Sequence, residues 1–204
     1  MIKLTINNKP YYIPTKGNEL SMVQYNALRL WALNEDAQEY DLVSALSGMD
    51  VDDAIESASI WNGRLDIESM ADLFKHVDDA HAKEVTVNGE VLKPKAMELL
   101  KVSQRLLLKQ IFDKVAGGEA LEEHLPRVLA IGFGEQMYGK GWAGNVSLST
   151  SIFEQQPAYI FLPVAYFFLR SACLTKKDGT LSSSLLMRHG IAQVVRKCKS
   201  LVYG

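Results

Sequence analysis

Cysteine is nearly missing from this chain. The 204 residues hold two, Cys173 and Cys198, far apart and with no partner motif around either. That excludes a disulfide framework and leaves two thiols expected to be buried or partly exposed. Long apolar runs are missing too. The longest, Ala158 to Leu169, is broken by Pro163 and is too short to span a bilayer, so it reads as core. No basic-then-apolar leader precedes the strand-like pattern at Met1, and the chain is expected to stay inside the cell. Catalytic constellations are absent as well. His124 and His189 have no evident acidic partner nearby in sequence, and neither cysteine has an activating neighbour fixed by spacing.

What is present is apolar mass. At 48% apolar residues the chain can build a sizeable core, which excludes whole-chain disorder. Its length sits near the upper end of a single domain, and one compact domain over 1–204 is expected. Within it the pattern reads as a hairpin plus helix (1–34), an acidic helical part (35–84), a hairpin plus long helix (85–131), a glycine-rich loop (132–150) and apolar then basic helices (151–204).

The net charge of −2 conceals segregation. Residues 35–84 hold fourteen acidic and three basic side chains, whereas 170–204 hold seven basic and one acidic. Solvated helix faces account for such runs in most proteins. The sharper reading is a polar molecule whose acidic end attracts the basic end of a neighbour, giving self-association or binding to another protein. The short basic tail on an acidic chain argues against nucleic acid.

The local pattern predicts an α+β fold dominated by helix. Ile2, Leu4 and Ile6 alternate with polar residues, Asn7-Asn8 supplies a turn, and Tyr11-Tyr12-Ile13 returns. Ser21 and Gln24 form a capping box ahead of Tyr25, Leu28 and Trp31. Short helices follow over Gln38–Ser47, Asp50–Trp61 and from Asp66 through Val77. A second hairpin is marked by Asn88-Gly89 between Val85-Thr86-Val87 and Glu90-Val91-Leu92. Leu4–Asn8 matches Val85–Gly89, five residues too few to establish a duplication; the two hairpins are expected to form one small sheet. Pro94 is expected to open a helix running to about Val115, ~34 Å long at 1.5 Å per residue. A further helix should end or bend near Pro126. A buried helix after Pro157 and a final one capped by Ser183 or Ser184 bring the total to seven or so.

Two motifs invite chemistry. Gly134-Glu135-Gln136-Met137-Tyr138-Gly139-Lys140-Gly141 fits G-x-x-x-x-G-K, but glycine stands where a phosphate loop needs a hydroxyl for magnesium. A nucleotide-binding enzyme built on this loop is kept as the reading of another class. His76, Asp78, Asp79 and His81 are potential ligands, yet the histidines are five apart, off the three-or-four spacing of a helical zinc site. No catalytic, cofactor or metal site is therefore assigned. Tyr11, Tyr12, Tyr25 and Trp31 fit core packing better than an aromatic binding surface. Trp142 and Tyr138, in the glycine-rich stretch, are expected to anchor a partner protein, with Arg188, Arg196, Lys197 and Lys199 as basic contacts.

The pattern Ile6-Asn7-x-x-x-x-Tyr12-Ile13-Pro14, followed by Glu19-Leu20-Ser21-Met22-Val23-Gln24-Tyr25, resembles small bacteriophage tail-assembly proteins, including tail assembly chaperones and baseplate-hub assembly proteins. Leu125-Pro126-x-Val128-Leu129-Ala130 and Ala165-Tyr166-Phe167-Phe168-Leu169 are similar to such proteins too. The resemblance covers about a third of the chain, and the zinc cysteines of some baseplate relatives are absent. It implies a non-enzymatic viral protein binding the tape measure, tail tube or baseplate components. The expected place is the host cytoplasm during assembly, and the virion tail if the protein is a structural component instead. It implies no active site and no cofactor.

Overall fold

The computed structural model describes residues 1–73 and 84–174. It is mostly helical, with two small antiparallel sheets, as the α+β reading expects. The described residues group into two compact units, one of 1–73 with 157–159 and the other of 84–156 with 160–174.

In the first unit, Asn7 and Asn8 take φ of 52° and 63°, the left-handed pair a two-residue hairpin turn demands. They join β1 (Ile2–Ile6) to β2 (Lys9–Ile13), with Leu4 opposite Tyr11 on the buried face. Pro10 is tolerated because each strand of a two-stranded sheet has a free edge. A 3-10 turn over Gly17–Glu19 leads to Leu20 and then to α1 (Met22–Leu33). The expected capping box is there. Ser21 Oγ accepts from Gln24 N–H at 3.4 Å, and Gln24 Oε1 accepts from Ser21 N–H at 3.0 Å. Gln24 also reaches out of its helix, its Nε2 donating to Leu46 O at 2.6 Å in α2 (Glu39–Ser47).

Gly48 ends α2 in the left-handed region, φ 71°. The next helix, expected as one piece, is two: α3 (Val51–Glu56) and α4 (Ala58–Trp61). Ser57 lies at the break, its hydroxyl donating to Asp53 O at 2.7 Å, a side-chain bond that competes with the helical ladder. Asp66 then caps α5 (Ile67–Asp72), accepting from Ser69 N–H. The core of this unit gathers Leu4, Tyr11, Ile13, Val43, Met49, Ala54 and Trp61. Tyr25 and Trp31 are buried too, while Tyr12 is exposed.

The second unit begins with β3 (Val85–Val87) and β4 (Glu90–Leu92), turned by Asn88 and Gly89 at φ 51° and 83°. The hairpins do not form one sheet; they are two separate sheets. This one is tied to a helix instead, because Gln136 accepts from Lys93 N–H and donates to Lys93 O, both at 2.9 Å.

The long helix is shorter than expected. A 3-10 turn over Met97–Leu99 comes first, Leu100 and Lys101 stay extended, and α6 covers Val102–Ala116. Its 15 residues span ~22 Å. The start is set by Gln104, whose Oε1 accepts from Lys101 N–H at 3.1 Å. A 3-10 turn (Leu121–His124) precedes α7 (Leu125–Tyr138), so Pro126 opens a helix rather than ending one, as suits its missing N–H. After a 3-10 segment over Gly139–Asn145 come α8 (Val146–Glu154) and α9 (Ala158–Leu174), with Pro163 inside α9 as read from the sequence. Phe133, Phe153, Phe161 and Phe168 form a chain of ring contacts at 5.3–5.9 Å.

The two units share a local plan beyond the five matched residues. In each, an Asn-led hairpin is followed by proline, a 3-10 turn, a buried leucine and a glutamine-capped helix. Pro14 and Pro94, Leu20 and Leu100, Gln24 and Gln104, Leu28 and Leu108 stand eighty residues apart. Gln104 even repeats the outward reach of Gln24, donating to Ile131 O in α7 at 2.6 Å.

Candidate functional site

Of the residues nominated as partner contacts, Arg188, Arg196, Lys197 and Lys199 lie outside the described residues. So do His189, Cys198, the final helix from Ser183 or Ser184, and the cluster His76, Asp78, Asp79, His81. Tyr138 ends α7 and is half-buried.

The expected glycine-rich loop is a correction. Gly132 and Gly134 lie inside α7, and Trp142 is 3% exposed. A Cβ at Gly134 would fall 2.7 Å from the Trp142 ring, and one at Gly132 would fall 2.5 Å from Phe168. These glycines therefore seat aromatic rings against a helix backbone, and Trp142 is a core side chain rather than an exposed anchor. The same geometry bears on the G-x-x-x-x-G-K motif. A phosphate loop sits between a strand and a helix N-terminus. Here the residues before Gly134 are helical, Lys140 is in a 3-10 segment, and α8 starts only at Val146.

His124 does have an acidic partner. Its Nε2 lies 2.8 Å from Glu119 Oε2, and Lys114 Nζ approaches the same carboxylate at 3.3 Å. The Lys114 hydrogen bond is the main influence holding the Glu119 carboxyl below its ordinary range; desolvation opposes it and His124 assists. This cluster bridges the end of α6 and the start of α7, which makes it a connection between helices. Among the described residues no group of three or more His, Cys, Asp or Glu side chains could hold a metal ion. No described helix is long and apolar enough to cross a membrane.

What stands out at the surface are two faces that sequence reasoning did not single out. In the first unit, α3 and α4 expose Val51, Ile55 and Ile60 at 40, 48 and 42%. Val51 and Ile55 are one helical turn apart, flanked by exposed Asp52 and Glu56. Residues 50–60 carry Asp50, Asp52, Asp53 and Glu56 and no basic side chain. In the second unit, Leu99, Val102 and Leu106 are exposed at 70, 62 and 57%. Exposed Lys95, Arg105 and Lys109 lie near them, and Lys101 pairs with Glu135 at 2.8 Å. The buried stripe of α6, Gln104, Leu108 and Ile111, points the other way. A signal was available in the sequence: Val102 and Leu106 fall off the stripe defined by Leu108 and Ile111, too apolar for a solvated face.

Compared with protein-family models, with curated proteins and with solved structures, the chain matches none.

Proposed function

We propose that this chain is a non-enzymatic bacteriophage tail morphogenesis protein, of the tail assembly chaperone type, acting through protein–protein contacts. One observation carries the reading beyond the N-terminal resemblance. Each unit presents a charged, apolar face suited to gripping another protein. The partners this reading names are the tape measure, tail tube or baseplate components.

The test is purification from infected cells in parallel with purified particles, both read by mass spectrometry. A chaperone co-purifies with the tape-measure protein and is missing from particles. Stoichiometric presence in particles replaces the chaperone reading with that of a virion component. Recovery with neither overturns both.

A further inference from the structure

We propose that the acidic face on α3 and α4 of one copy binds the basic face at the start of α6 of a second copy, head to tail. These are the faces on which the tail-assembly reading also rests, but pairing of two copies is tested on the purified chain alone, so its failure leaves that reading to the particle and co-purification experiment. Their chemistry is matched. Residues 50–60 hold four acidic side chains and no basic one; residues 91–110 hold five basic side chains and one acidic. Of the five, Lys93 and Lys101 pair with Glu84 and Glu135, while Lys95, Arg105 and Lys109 carry the face. Each face sets three exposed apolar side chains among its charges: Val51, Ile55 and Ile60 against Leu99, Val102 and Leu106. Apolar contact supplies attraction without direction, and the opposite charges orient it and repel the like-face pairings, acid on acid and base on base.

The shared plan of the two units marks the basic face as uncovered. Met22 and Tyr25 on α1 are 2 and 1% exposed, whereas Val102, eighty residues on from Met22, is 62% exposed and Arg105 is exposed likewise. One helix of the plan is covered on that side and the other is left open. Because each copy carries one face of each kind, the contact uses two different surfaces. Such a contact leaves one face of each kind free at the ends, so it continues into a ring or an open filament according to the rotation per step.

Sedimentation velocity on the full chain with D52K/E56K and R105E/K109E tests this. All four positions are exposed. The wild type should sediment faster as concentration rises at low salt, and the concentration needed should increase about tenfold at a few hundred millimolar salt. Each variant alone should remain monomeric, and an equimolar mixture should associate again. A monomeric wild type, a variant that associates like the wild type, or a mixture that stays monomeric overturns the proposal. Association of R105E/K109E like the wild type is the result expected if the basic C-terminal segment of a second copy occupies the acidic face instead. Circular dichroism confirms the fold; if a charge swap loses helix, I55S and L106S replace it and should each abolish association.

Discussion

The two units use one local plan for different ends, and the difference lies in what covers the capped helix. Helix α1 buries Met22, Tyr25, Leu28, Trp31 and Ala32, a wide face. Among its described side chains, helix α6 buries Gln104, Leu108 and Ile111 fully and leaves Val102 and Leu106 to solvent. The plan itself, hairpin to 3-10 turn to glutamine-capped helix, specifies local geometry and says nothing about the outer surface. Charge does that: the exposed face on α3 and α4 is acidic, and the one at the start of α6 is basic. A conserved inner device with a divergent outer surface is what contact-making proteins need, since the frame must hold while the partner surface is chosen.

That comparison can be broken most severely at the aromatic cores. Trp142→Ala should cost about 3–5 kcal/mol in urea denaturation, because a buried ring packed on Gly134 leaves a cavity. Trp61→Ala, which also removes the indole hydrogen bond to Ala54 O at 2.9 Å, should cost a similar amount in the first unit. A loss under 1 kcal/mol for Trp142 would restore the exposed-anchor reading.

Close backbone approach comes next. A Cβ at Gly17 would lie 2.4 Å from Ser69 O, a backbone atom that cannot swing aside. Gly17→Ala should cost about 2–3 kcal/mol by the same measurement, and Gly134→Ala somewhat less, since helix propensity returns about 1 kcal/mol. Equal stability to wild type at Gly17 would mean the 3-10 turn and α5 are further apart than described.

The capping glutamines sharpen the comparison directly. Gln104 is 1% exposed and Gln24 half-buried, so Gln104→Ala should cost about 2 kcal/mol and Gln24→Ala about 1 kcal/mol. The reverse order would show that the two devices are not equivalent.

The smallest effect is pH dependence. The Glu19 carboxyl is raised by desolvation but lowered more strongly by bonds from the Met1 ammonium, the Thr15 N–H and the Thr15 hydroxyl, and settles at about 2. Its folded value lies below the unfolded one. Its contribution is therefore complete above the ordinary 4.5 and is lost as pH falls from there toward 2. With partial exposure the loss is about 1 kcal/mol. Glu19→Gln should flatten the acid limb of a stability profile over that window; an unchanged limb contradicts the assignment.

The fold was legible where a residue's local chemistry had one answer. Asn88-Gly89 required a left-handed turn, Ser21 and Gln24 capped a helix, and Pro163 sat in an apolar helix as expected. It was illegible where a residue's meaning depended on a distant partner. Gly132 and Gly134 look like loop punctuation in sequence, yet Phe168 and Trp142 make them helix interior. Pro126 is ambiguous between stopping and starting a helix, and only the preceding 3-10 turn decides. The surface faces were half visible: the acidic run was plain, but its apolar members and its basic counterpart on α6 needed the burial of each helix to separate them.

Zero-length carbodiimide cross-linking of an equal mixture of ¹⁴N and ¹⁵N chains tests the central claim most directly. Mixed-isotope links should join Asp52 or Glu56 to Lys95 or Lys109, and they should fade at high salt. Links from those carboxylates confined to a single chain, or running to Lys197 or Lys199, would contradict the account.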